Sequence, residues 1–333
     1  MVTDPLRQLA GVAPEGLPVV RDVVRRVLGH AFGPPAFDLT SGTGDRGLFG
    51  PGSASWRLIA EPAAIVGGVR ALVVQLFHPL AMAGVADHSS FRTDPLGRLR
   101  RTSAYVTTTI LGTTDEALAA ARGIRRAHRK VRGTAPDGRP YAADDPHLLG
   151  WVSIALTSSF LATDAAYAPH PLSRADADAF VDQQARGAAL LDPSVDLEAI
   201  AADPAARAAL ADGTLALPLR DDGVLPRSIA ELDAALARYR PELEVNAQGR
   251  EAFAFLKSPP IGSLRAGYLP LLAAALATLD PAERRMLGLS GSRLAAGAVR
   301  VQGRTMLTAL RLSTGTSPAA RLAARRAEAA PAA

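Results

Sequence analysis

Apolar residues recur at helical spacing along most of this chain, and the polar residues that interrupt them read mainly as helix starts. Thr113-Thr114-Asp115-Glu116 predicts a capping box ahead of Leu118, Ala121 and Ile124. Asp144-Asp145-Pro146 predicts a carboxylate cap with proline in the first turn, opening a segment through Leu149, Trp151, Ile154, Leu156 and Phe160. The same logic places helix starts at Asp94-Pro95, at Ser173 to Asp176, at Ser228 to Glu231 and at Asp280 to Glu283. The single β-branched run, Val106 to Ile110, lies inside a helical pattern, so an all-α fold is expected, as a single globular multi-helix domain.

Two stretches are the most apolar, Ala63 to Ala86 and Leu264 to Leu279. Arg70, His78 and Pro79 break the first and Arg265 and Pro270 the second, so both read as buried core helices and no integral membrane segment is expected. Phe32 to Ser53 and Thr134 to Tyr141 are glycine- and proline-rich and predict loops within the domain. Asp192 to Pro226 has weak periodicity and reads as a surface helical excursion, and the Ala/Arg run after Ser317 as a flexible tail. The division expected is an N-terminal helix and loop lead-in over 1–44, a main domain over 45–288, and C-terminal helices with the tail over 289–333. Met1 to Gln8 carries no basic region followed by an apolar run, so a cytoplasmic protein is expected.

Composition narrows the chemistry. The 333 residues contain no cysteine, which removes disulfides, thiolate nucleophiles, iron–sulfur clusters and thiolate-ligated haem or zinc. The net charge of +5 rests on arginine, because Lys130 and Lys257 are the only lysines among 37 basic residues. These arginines are spread over every amphipathic segment and aromatics are only 5% of the chain, so no nucleic-acid partner is expected. HExxH, Gly-x-Ser-x-Gly, Walker and Gly-x-Gly-x-x-Gly motifs are all missing, which sets aside the hydrolase, NTPase and dinucleotide readings they would carry.

What remains is a set of polar residues in apolar helices. His128 shares a helical face with Leu118, Ala121, Ile124 and Val131, so its ring is expected to point inward. It is either a core histidine or a metal ligand, and the arginines around it, Arg125 and Arg132 among them, are what haem propionates would need. Arg98 and Thr102 are one turn apart, so a fixed charge and a hydroxyl converge unless the threonine bonds back to its own helix. His78 and His88 frame an apolar segment and either line a pocket, as candidate cofactor-binding residues, or cap helix ends.

Several stretches carry a resemblance: Gly47-Leu48-Phe49-Gly50-Pro51, Ser55-Trp56-Arg57, Leu76-Phe77-His78-Pro79 through His88-Ser89, Pro95-Leu96-Gly97-Arg98-Leu99, Gly112-Thr113, and Ile124-Arg125-Arg126-Ala127-His128 to Arg132-Gly133-Thr134. Over about Asp45 to Gly288 the chain resembles the haem-b oxygenases related to latex clearing protein (rubber oxygenase) and the mycophenolic-acid-pathway oxygenase MpaB. The resemblance implies a non-covalent haem b in a pocket between core helices, its iron held by a proximal histidine matching His128. It implies dioxygen as cosubstrate, bound trans to that histidine, with a distal arginine and threonine matching Arg98 and Thr102. The lysine that can cap iron in rubber-cleaving members falls on Arg101, which stays protonated and cannot ligate. Their distal acidic residue has no obvious counterpart, since Asp87 and Asp94 are the only carboxylates between His78 and Arg98. The expected partners are a small lipophilic substrate, prenyl or other alkene-containing molecules included, and an electron donor. Two other readings stay open: a haem-free helical protein binding a hydrophobic ligand, and a haem protein with peroxidase- or dehydrogenase-type chemistry.

Overall fold

The computed structural model describes residues 26, 29–38, 42, 44–291 and 293–329. The first 25 residues, and with them most of the expected lead-in helix, lie outside the described residues. The helices are α1 (Ala54–Ile59), α2 (Ala63–Val74), α3 (Pro79–His88), α4 (Pro95–Leu111), α5 (Thr114–His128), α6 (Pro146–Tyr167), α7 (Arg174–Ala189), α8 (Leu197–Ala202), α9 (Pro204–Asp212), α10 (Pro218–Asp221), α11 (Ile229–Tyr239), α12 (Ala247–Lys257), α13 (Arg265–Ala277), α14 (Pro281–Met286), α15 (Arg293–Thr314) and α16 (Pro318–Glu328). Among the described residues the only sheet is a two-stranded antiparallel hairpin, β1 (Arg132–Thr134) and β2 (Pro140–Ala142), with Gly133 opposite Tyr141. The all-α expectation holds. The expected 134–141 loop is in part strand: its ends belong to β1 and β2, and 135–139 connect them, turning at Gly138 with φ of 85°.

The predicted caps sit where the sequence puts them. Asp94, Thr113, Asp145, Ser173, Ser228 and Asp280 each accept a first-turn backbone N–H, and Thr113 with Glu116 and Asp280 with Glu283 close full capping boxes.

At the centre, α2 crosses α6. α2 is apolar on nearly every side, as a helix surrounded by others must be. Gly67 lets the two approach, since a Cβ there would lie 2.5 Å from a Phe160 ring carbon and 2.8 Å from Thr163 Oγ1. The one charge on α2, Arg70, is 5% exposed and donates to Ser159 Oγ (2.9 Å) and to both Glu283 oxygens (3.0 and 2.8 Å). Around this pair α11, α12, α13 and α15 complete the main core with Trp151, Tyr239, Phe253 and Leu307.

By length and composition α6 could cross a membrane, and two bent pairs pass the same test when joined, 63–77 with 79–88 and 247–257 with 262–277. The two most apolar stretches of the sequence do not include α6. In this fold 61% of its apolar window is buried inside the molecule.

Two segments differ from expectation. Residues 192–226 fold as α8 to α10 and build a core of their own, where Leu197, Ile200, Leu210, Leu217, Leu219 and Leu225 meet Leu118 and Ala121 of α5. Of the Ala/Arg run after Ser317, the described part forms helix α16. Ala320 and Ala323 are small enough to let it lie against Ile110 and Leu111, and the buried Arg326 donates to the Leu111 carbonyl at 2.9 Å.

Candidate functional site

The α4–α5 hairpin positions the candidate site. Asp94 caps α4 through Gly97 N–H at 2.9 Å, and the helix stops at Gly112, whose extended conformation hands the chain to the Thr113 box. Asp45 fixes the turn by accepting from Thr114 N–H and Thr114 Oγ1, both at 3.1 Å. Gly47, at φ of 67°, is required beside it because a Cβ would collide with the Gly112 carbonyl. So short a connection makes the helices antiparallel. Arg98 and His128 therefore stand at the same open end of the hairpin, each about 20 Å from the turn at 1.5 Å per residue.

His128 is the last residue of α5, so Val131 lies beyond the helix and not on its face; Val131 packs with Ala83 and Tyr141 instead. The His128 ring is half-buried, and its Nδ1 is withdrawn from water without a hydrogen-bond partner. Burial pushes its pKa below the ordinary value, outweighing the pull of Asp144, so the ring is neutral at neutral pH. Neutral imidazole is the form that ligates a metal.

The Arg98 side chain makes no hydrogen bond or ion pair among the described residues. Burial pushes its pKa down, nearby Arg101 adds to the effect, and no carboxylate compensates. Arg101 itself donates to Ser90 Oγ at 2.7 Å and reaches Asp94 at 3.4 Å. The Thr102 hydroxyl is exposed and donates to the Arg98 carbonyl of its own helix at 3.1 Å, the back-bonded arrangement.

The two arginines expected to serve the cofactor are engaged elsewhere. Arg125 donates to the carbonyls of Leu190 and Val195, both at 2.7 Å, pinning the turn after α7 and leaving Nη2 buried and unpartnered. Arg132 is exposed and pairs with Asp144 at 2.9 Å across the β-hairpin. Arg126 and Arg129 are exposed and unpaired among the described residues. With Arg122, Arg125 and the segment Pro193 to Glu198 they line an open depression of about 480 Å³ that includes neither Arg98 nor His128.

His78 and His88 occupy opposite ends of α3, about 15 Å apart at 1.5 Å per residue. His88 is exposed, with Nε2 3.2 Å from Tyr141 Oη, which donates to Asp87 at 2.6 Å. The β-hairpin that follows His128 thus brings His88 toward the α5 end. His78 is fully buried and caps α3, with Nδ1 accepting from Ala81 N–H at 3.5 Å. Its Nε2 lies 3.4 Å from Glu242 Oε2, in contact but outside hydrogen-bond geometry. His147 Nε2 lies 2.7 Å from the same oxygen. Burial lowers the His78 pKa against the opposing pull of Glu242. Sequence reasoning did not join His147 and Glu242 to His78, because three positions on separate segments leave no spacing to read.

Residues 56–312 match the family described as ER-bound oxygenase mpaB/B'/rubber oxygenase, catalytic domain. The match begins and ends later than the expected 45–288. No curated protein and no solved structure matches the chain. A match over most of the sequence, on an all-α fold, shows that the chain belongs to the mpaB/rubber oxygenase catalytic-domain family.

Proposed function

We propose that this oxygenase-family chain is a haem b-dependent oxygenase acting on a small lipophilic substrate, with prenyl or other alkenes as the substrate class. The observation that carries the reading is the pairing of a neutral His128, with an unpartnered buried nitrogen, and a desolvated Arg98 lacking any acidic partner, at one end of one helical hairpin. These residues fit the group. His128 would hold the iron and Arg98 would stand by as an uncompensated cation. When bound, haem supplies the dioxygen activation that no side chain here can perform.

The protein's own contribution is orientation and charge. The Arg98 guanidinium has all its donors unspent among the described residues, so it can hydrogen-bond an oxygen cosubstrate and stabilise negative charge developing on it. Thr102 can donate there only by giving up its bond to the Arg98 carbonyl. Propionate pairing falls to Arg126 and Arg129 more readily than to Arg125 or Arg132, whose donors are occupied. An electron donor from the cytoplasm is part of the same proposal, and α6 is read as a core helix on its extensive packing against α2.

The test is aerobic turnover of the haem-loaded protein with an alkene panel under labelled dioxygen. Label in the product, lost in Arg98→Met, supports the reading. Oxidised product without label would exclude oxygenation and favour peroxidase- or dehydrogenase-type chemistry.

A further inference from the structure

We propose that His78, His147 and Glu242 form a binding site for a divalent transition-metal cation, zinc being the best match. The proposal does not depend on the reading of His128. One ring nitrogen from each histidine and one carboxylate oxygen lie within 4.8 Å of one another. Around tetrahedral zinc, with bonds of about 2.0–2.1 Å, ligand atoms sit about 3.3 Å apart. Here the two nitrogen-to-oxygen separations are 3.4 Å for His78 and 2.7 Å for His147, so small adjustments would close the set. Two histidines and a glutamate are a ligand set that zinc uses.

The second observation is that His78 is 0% exposed and its Nε2, facing Glu242, has no hydrogen-bond partner. A buried polar atom left unpaired costs free energy unless something unseen satisfies it. Burial also keeps this ring neutral, as ligation demands. Ligation through Nε2 puts the ring proton on Nδ1 and gives up the contact with Ala81 N–H. At 3.5 Å that contact is at the outer limit of hydrogen bonding, so little is lost.

The surroundings hold the donors in place. The His78 ring packs near Trp151 (5.7 Å between centroids) and Tyr239 (6.2 Å), and the His147 ring lies on Tyr239 at 4.6 Å. Tyr239 Oη donates to the His147 carbonyl at 2.7 Å, and Glu244 N–H donates to the Phe77 carbonyl at 2.7 Å, tying the glutamate's turn to the segment before His78. The nearby cation, Arg139, is paired with Asp137 at 2.7 Å. His147 and Glu242 remain partly exposed, which leaves water free to complete the coordination. The cation would join the start of α3, the first turn of α6 and the turn after α11, three segments that close one side of the main core.

The experiment titrates the full-length protein, cleared of metal by chelator, with zinc alone against a chromogenic chelator, and follows unfolding temperature with and without zinc. His147→Gln and Glu242→Gln are the variants, because both positions are partly exposed and neither fills the core. One equivalent bound, an upward shift in melting temperature, and at least about tenfold weaker binding in each variant support the site. Two results overturn it: no zinc retained in competition with the chelator, leaving Glu242 a hydrogen-bond acceptor between two rings, or zinc held equally by the wild type and both variants, which points to surface histidines such as His88 or His170.

Discussion

Arg98 makes a demanding prediction because function and stability should respond in opposite directions. Its charged end is drawn out of water, Arg101 opposes it, and no hydrogen bond or carboxylate among the described residues offsets the cost. Full burial of an unpaired charge costs several kcal/mol, but the residue keeps some exposure, so a discounted penalty of about 1–2 kcal/mol is appropriate. Arg98→Met keeps the length of the side chain and removes the charge without breaking any bond. The haem-free variant should gain about 1–2 kcal/mol, a rise of roughly 1–3 °C in melting temperature for a chain of this size. It should at the same time lose oxygenation of substrate. Differential scanning fluorimetry of the haem-free proteins and turnover of the loaded ones read the two arms. A fall in melting temperature would refute the reasoning, since it would mean that the guanidinium is held by a stabilising partner.

Gly67→Ala should destabilise the fold by about 1–3 kcal/mol in chemical denaturation despite the better helix propensity of alanine, because the new methyl meets Phe160 and Thr163. Arg326→Met should cost about 2–3 kcal/mol, with faster amide exchange along α16, because the lost guanidinium holds the Leu111 and Asp38 carbonyls and approaches Glu116. All five tyrosines resist ionisation. Burial, joined by Asp87 at Tyr141, pushes Tyr141, Tyr167, Tyr239 and Tyr268 up to about 12, and Tyr105 higher. With folded values above the unfolded value of 10, this stabilisation is complete below pH 10 and is lost as pH rises toward 12. Ultraviolet titration should therefore show little tyrosinate at pH 10 to 11 and a cooperative rise on alkaline unfolding.

Local chemistry made much of this fold legible. Asp94, Thr113, Asp145, Ser173, Ser228 and Asp280 announce their helices because a cap is satisfied within three residues of itself. Burial that depends on distant partners was not legible. Leu197, Leu210 and Leu225 look sparse along the chain yet converge on Leu118, and the alanines of α16 look featureless until α4 lies against them. In the candidate site, the placement of Arg98 and His128 at one end follows from two helix lengths and one short turn. The pairing of Arg132 with Asp144 is different, because it depends on the register of a hairpin that three-residue strands barely signal. His78, His147 and Glu242 are likewise brought together only by the crossing of α3, α6 and the turn after α11.

The central claim is that His128 holds haem iron, and absorption spectroscopy tests it most directly. The purified full-length protein, loaded with haem, is measured as isolated, after dithionite, and after carbon monoxide, beside His128→Ala. The account predicts a Soret band that shifts on reduction and again with carbon monoxide, and that is lost or converted to a free-haem spectrum in the variant. Absence of a Soret band in the loaded wild type, or the same spectrum in His128→Ala, would contradict it.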